Sequence, residues 1–146
     1  MMQKLEKELQ ITWSKLKIPI RIAFVDSNNE PKVISLWYVC INGKIFCATQ
    51  KSAKIVKYLK ENPTCGFEIA ADSPPYKGIR GKGIVKILEN DGKKFLRNLI
   101  EKYLENKESR LSQFLEHNSK TEVAIEITPK KIINYDYSQR MEGIVK

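Results

Sequence analysis

A chain of 146 residues is the size of one domain and long enough to bury a core without disulfide or metal staples. Apolar residues make up 42% and charged residues 29%, the balance of an ordinary soluble globular protein, and 26 Lys and Arg against 17 Asp and Glu leave +9. That excess attracts anions: nucleic acid, anionic lipid or a phosphorylated small molecule. An odd number of cysteines (Cys40, Cys47, Cys65) argues against a disulfide framework, and one histidine, His117, without a Cys-x-x-Cys argues against zinc. The N-terminus has no apolar secretion core and no run is long enough to span a membrane, so a cytoplasmic location is expected.

Residues 2–16 set Leu5, Leu9, Trp13 and Leu16 at helical spacing, and Pro19 ends the pattern. Residues 20–26 read as a strand, followed by the turn-formers of 26–31. Residues 32–41 read as a second strand. Asn42-Gly43 then joins it to a third over 44–49, which predicts a hairpin spanning 32–49. Both faces of 32–41 are apolar, so neither should meet bulk water. One can fill a core, and the other needs a cofactor, another layer or another subunit.

A short helix over 52–61 has Ile55, Val56 and Leu59 on one stripe and stops at Asn62-Pro63. Strands follow at 65–72 and 79–89, the second with Gly81 and Gly83, which mark a bulge or a close backbone approach. Residues 93–117 read as one helix or two with a break near Asn106. Residues 122–128 alternate Val123, Ile125 and Ile127 with charge, a strand with one wet face, and 129–138 continue it as a strand or arm. Hairpins dominate this order. The expected architecture is a single mainly β (α+β) domain over 1–146: an antiparallel six- to seven-stranded split barrel with peripheral helices, an N-terminal helix at 2–16 and a helical insert at 91–117.

A phosphate site needs donors, positive charge and close backbone approach, which a helix start supplies. Thr49-Gln50-Lys51-Ser52-Ala53-Lys54 offers this at the end of a strand, with Ser52 as the expected N-cap. The same residues also read as a cap followed by a solvated basic face. Trp37 and Tyr38 on the doubly apolar strand add a place for a flat aromatic ligand with a phosphate tail.

In order and spacing these residues resemble the pyridoxamine 5'-phosphate oxidase-like, FMN-binding split-barrel superfamily over roughly residues 20–137. The matching pieces are Leu36-Trp37-Tyr38; Thr49, Ser52, Lys54 and Asn62-Pro63; Ile79-Arg80 to Gly83; and Ile127-Thr128-Pro129 with Tyr135-Asp136. The resemblance implies a homodimer with FMN at the subunit interface, acting on a small molecule. It implies that Ser52-Ala53-Lys54 holds the cofactor phosphate, and that Thr49 and Gln50 line the ribityl chain or flavin. Ile34, Ser35, Leu36 and Trp37 would follow the ring through backbone groups, and Arg80 would lie at or near the cofactor. Arg80 also reads as a solvated barrel arginine. The C-terminal arginine-rich substrate segment of the true oxidases is not evident in residues 136–146, where Arg140 stands alone, so vitamin B6 oxidation is not implied.

The leading expectation is a flavin-dependent oxidoreductase. The alternatives are a deazaflavin coenzyme on the same fold, or a non-catalytic flavin- or haem-binding module. Lys77, Arg80, Lys82 and Lys86 cluster without interleaved stacking aromatics beyond Tyr76, so nucleic acid is the least favoured partner.

Overall fold

In a computed structural model of the chain, residues 13, 16–106 and 108–141 are described. Seven strands form one antiparallel sheet: β1 (Ile20–Val25), β2 (Pro31–Leu36), β3 (Val39–Ile41), β4 (Lys44–Gln50), β5 (Thr64–Ala70), β6 (Lys77–Leu88) and β7 (Glu122–Asp136). Their order is β2-β1-β5-β6-β7-β4-β3. β2 and β3 are the two edges and do not pair with each other, so the sheet stays open. This is the expected split barrel with peripheral helices. The expected helix at 2–16 lies outside the described residues except for Trp13, which is buried, and Leu16, which is partly exposed.

Alternation along the strands builds the core. Ile20, Ile22 and Phe24 of β1 point inward to meet Ile45 and Cys47 of β4, Phe67 and Ile69 of β5, and Ile125 and Ile127 of β7. Each such side chain contributes about 1.5–3 kcal/mol by leaving water. Helix α1 (Lys54–Glu61) packs against β1 and β6 and buries Ile55, Val56 and Leu59, the predicted stripe, in the same cluster. Tyr58 stacks on Phe24 with ring centroids 6.3 Å apart. Asn62 and Pro63 stop the helix, and the Pro63 carbonyl accepts from the Val85 N–H at 2.8 Å.

The insert forms two helices, α2 (Gly92–Tyr103) and α3 (Arg110–His117), with the break where the sequence places it. Ser109 caps α3 by accepting from the Ser112 N–H. α2 lies over the outer face of β4 and β7, with Phe95 stacked on Phe46 at 4.3 Å. For this reason the expected wet face of 122–128 is corrected: Glu122, Val123, Ala124 and Ile125 are all buried, one face in the barrel and the other under α2.

The expected 32–41 strand and 32–49 hairpin are also corrected. Asn42 and Gly43 make the turn with positive φ, as predicted, but only Val39–Ile41 pairs with Lys44–Phe46. Pro31–Leu36 pairs with β1 at the far edge of the sheet. Between them Trp37 and Tyr38 leave the ladder, because the Tyr38 ring turns fully into the core and its hydroxyl donates to the Trp13 carbonyl. Among the described residues nothing covers the outer face of β2 at Val33, which is 66% exposed.

Gly81 and Gly83 flank the bulge the sequence predicts, between Lys82 and Gly83. A Cβ on Gly81 would lie 2.1 Å from the Lys131 carbonyl oxygen, whereas one on Gly66 would meet nothing closer than 3.6 Å. Gly81→Ala is therefore expected to destabilise the protein by about 2–3 kcal/mol and Gly66→Ala by less than about 1 kcal/mol in urea denaturation.

Candidate functional site at the split

Two backbone edges face the split. β2 pairs on one side only, with β1. On the opposite lip β3 covers only Lys44–Phe46, so among the described residues the β4 edge from Cys47 to Gln50 has β7 on one side and no strand on the other. Each edge presents peptide N–H and C=O groups without a ladder partner. Ile34 and Leu36 are half-buried against the core, Ser35 is exposed on the outer face, and Trp37 stands half-buried where β2 ends.

The β4 edge runs straight into the start of α1. The N-cap position is Ala53, not the expected Ser52, and no side chain caps the helix. The reason is local. The Ala53 N–H bonds back to the Gln50 carbonyl at 2.9 Å and the methyl packs on the core, which places Ser52 in the turn ahead of the cap. Ser52 is exposed and has no side-chain hydrogen bond among the described residues. The first turn of α1 holds no acidic residue, and Lys51 and Lys54 stand exposed beside it. An uncapped helix start with a free hydroxyl and two ammonium groups suits a phosphate.

Thr49 is half-buried next to this segment, whereas Gln50 is engaged by the turn after α3 and the start of β7. Its amide donates to the Asn118 carbonyl at 3.2 Å and to Glu122 Oε1 at 3.1 Å, and it accepts from the Thr121 hydroxyl. Arg80 lies elsewhere, eight residues before the end of β6 at Leu88, roughly 26 Å of extended strand. Register sets Ser35, Arg21, Glu68 and Arg80 in one outer-face row. The Arg80 guanidinium lies 4.5 Å from the Tyr135 ring centroid, and Tyr135 donates to Glu68 at 3.0 Å. Here a groove of about 530 Å³ has Ala23, Val33 and Ile133 in its lining, with Arg80, Lys82 and Lys131 among its cations. The segment 49–54 runs from the β4 edge into α1, residues 34–37 end β2 at the other edge of the sheet, and Arg80 lies in the outer-face row of Ser35, three strands along on β6.

Lys102 and Tyr103 at the end of α2 join the site without having been singled out in the sequence. The Tyr103 ring stacks on Trp37 at 4.9 Å and 6°. Its hydroxyl accepts from the Tyr38 N–H at 3.2 Å and donates to the Ile18 carbonyl at 2.8 Å. Lys102 Nζ donates to the Tyr38 carbonyl at 2.7 Å and sits 3.6 Å from the Tyr38 ring centroid. Burial lowers its pKa to about 8. In the sequence it is one lysine among many on an amphipathic helix, and only the crossing of Trp37–Tyr38 beneath α2 distinguishes it. Burial raises the thiol pKa values of Cys40 to about 12 and Cys65 to about 11, so neither is a thiolate at neutral pH. Among the described residues no three His, Cys, Asp or Glu side chains gather as a metal site.

No family model and no curated protein matches this sequence. Solved structures do match. A conserved hypothetical protein of Mycobacterium tuberculosis aligns over 99% of this chain and 89% of its own, at 15% identity and a TM-score of 0.73. An F420 reductase aligns over 82% and 92% at 15% identity and 0.68. A putative pyridoxamine 5'-phosphate oxidase of Listeria innocua aligns over 91% and 94% at 14% identity and 0.62. These likenesses establish the fold, an open split barrel with peripheral helices. No helix among the described residues is long and apolar enough to cross a membrane.

Glu122 supplies a test of the join between barrel and insert. Its side chain is 9% exposed, and Oε2 has no hydrogen-bond partner. Burial raises its carboxyl above the ordinary value of 4.5, against the Gln50 bond. The folded state therefore holds the proton more tightly. The stability this gives is full below the unfolded value and is lost as pH rises through the folded one. Glu122→Gln should stabilise the protein by about 1–2 kcal/mol at pH 8, with the gain shrinking as pH falls toward 4.5, in chemical denaturation at each pH.

Proposed function

We propose that the protein binds FMN in the split and acts as a flavin-dependent oxidoreductase on a small molecule. The observation that carries this reading is the β4 edge, unpaired among the described residues, that runs into an uncapped, acid-free, lysine-flanked helix start, with the open edge of β2 at the other side of the split. Lys51, Ser52, Ala53 and Lys54 would hold the phosphate through side chains and the first backbone N–H groups of α1. Thr49 stands beside the ribityl chain. The β2 edge at Ile34, Ser35, Leu36 and Trp37 offers peptide donors and acceptors to the polar rim of the ring. The bound group would supply the hydride or electron transfer, and the chain supplies position, charge and exclusion of water.

The active form in this reading is a homodimer. The exposed Val33 and the apolar, cationic outer groove would meet a second copy, which brings Arg80 toward the cofactor from the partner's side. A deazaflavin coenzyme is the second reading. It is favoured by the +9 charge, which suits a longer anionic tail, and by the likeness to a protein titled F420 reductase.

Mass spectrometry of ligand released from the purified protein, with titration of FMN and of the deazaflavin, decides between the two. Lys54→Ala is expected to weaken FMN binding by about 1.5–3 kcal/mol, roughly 10- to 100-fold, through loss of one charge-assisted phosphate contact. Unchanged affinity in Lys54→Ala would overturn the phosphate assignment.

A further inference from the structure

The insert does more than cover the barrel. Trp37 and Tyr38 carry the chain from one sheet edge to the other, so their peptide groups have no strand partner. Two adjacent α2 side chains serve those of Tyr38: Tyr103 takes its N–H, and Lys102 donates to its carbonyl. The Tyr103 ring also occupies one face of Trp37. The residues fixed in this way are the continuation of Ile34, Ser35 and Leu36. We propose that Lys102 and Tyr103 are positioning residues: they clamp the Trp37–Tyr38 crossing from the insert and so set the β2 edge against which the flavin ring lies. This rests on the proposed flavin site for its consequence, but the clamp itself can be measured in the cofactor-free chain.

The groups facing Lys102 Nζ are Tyr38 from the crossing, Cys40 from β3, Cys47 from β4 and Tyr103 from its own helix. The neighbouring Lys17–Glu105 ion pair is exposed. Burial raises both thiols and both phenols, which leaves the amine as the group of this cluster that titrates near pH 8. Its pKa is lower clamped than in water, so by linkage the clamped form gains as pH rises and the protonated amine favours release. A neutral amine still donates to the Tyr38 carbonyl.

The test is acrylamide quenching of tryptophan fluorescence in the cofactor-free full chain from pH 7 to 10.5, together with FMN affinity. Wild type is expected to show less quenching as pH rises through the window from about 8 toward the ordinary lysine value of 10.5. Lys102→Met should give a flat profile and about tenfold weaker FMN binding, through loss of the donor. Lys102→Arg keeps a donor that does not titrate, so its profile is flat and its FMN affinity stays within about threefold of wild type. A flat wild-type profile, or a titration that survives in Lys102→Met, would overturn the clamp. The expected profile with unchanged FMN affinity in Lys102→Met would overturn its positioning role. Failure of the wild type to bind FMN would overturn the proposed function and the flavin consequence together, while the quenching profile alone still decides the clamp.

Discussion

Where Trp37 and Tyr38 leave the sheet, their peptide groups lose strand partners and must find others, because a buried unpaired amide costs as much as a lost hydrogen bond. At Tyr38 the structure meets that demand from the insert, through the Tyr103 hydroxyl and the Lys102 amine, and it anchors the Tyr38 ring in the core through the Trp13 carbonyl. The rest of the architecture follows from this crossing. It sends Pro31–Leu36 to one edge of the sheet and Val39–Ile41 to the other, and it keeps those edges apart. Had 32–41 run on as one strand beside β4, the barrel would have lost its split.

The core and the site divide the chemistry cleanly. Inside, Ile, Val and Phe side chains pack with three thiols that burial keeps protonated. Polar capacity is concentrated at the rim, in open backbone edges, an uncapped helix start and the lysines around it. The Lys51 and Lys60 ammonium groups also hold Glu89 below its usual carboxylate range, chiefly through the Lys60 hydrogen bond.

Much of the fold was legible because period and punctuation agreed. Ile55, Val56 and Leu59 declared the face of α1, Asn42-Gly43 the β3–β4 turn, Gly81 and Gly83 the bulge, and Asn106 the break in the insert. Long-range facts were not legible. Nothing local in residues 32–41 tells that Tyr38 will turn inward and divide the run, because both halves have strand character. The dryness of both faces at Glu122–Ile125 depends on a helix folding back from 30 residues earlier in the chain. Of the site, the Thr49–Lys54 segment was readable as a strand end feeding a helix start, although the cap fell on Ala53. Lys102 was not, since its environment is made by a segment more than 60 residues away.

The central claim is that one ligand spans the split, with its phosphate at the start of α1 and its ring along the end of β2. Amide chemical-shift mapping of the full chain during titration with FMN tests it most directly. The account predicts that the amides of Lys51–Ile55 and of Ser35–Trp37 shift together, with one apparent affinity. Shifts confined to the outer-face groove around Arg21, Gly66 and Lys131, or shifts at the start of α1 without any at β2, would contradict it.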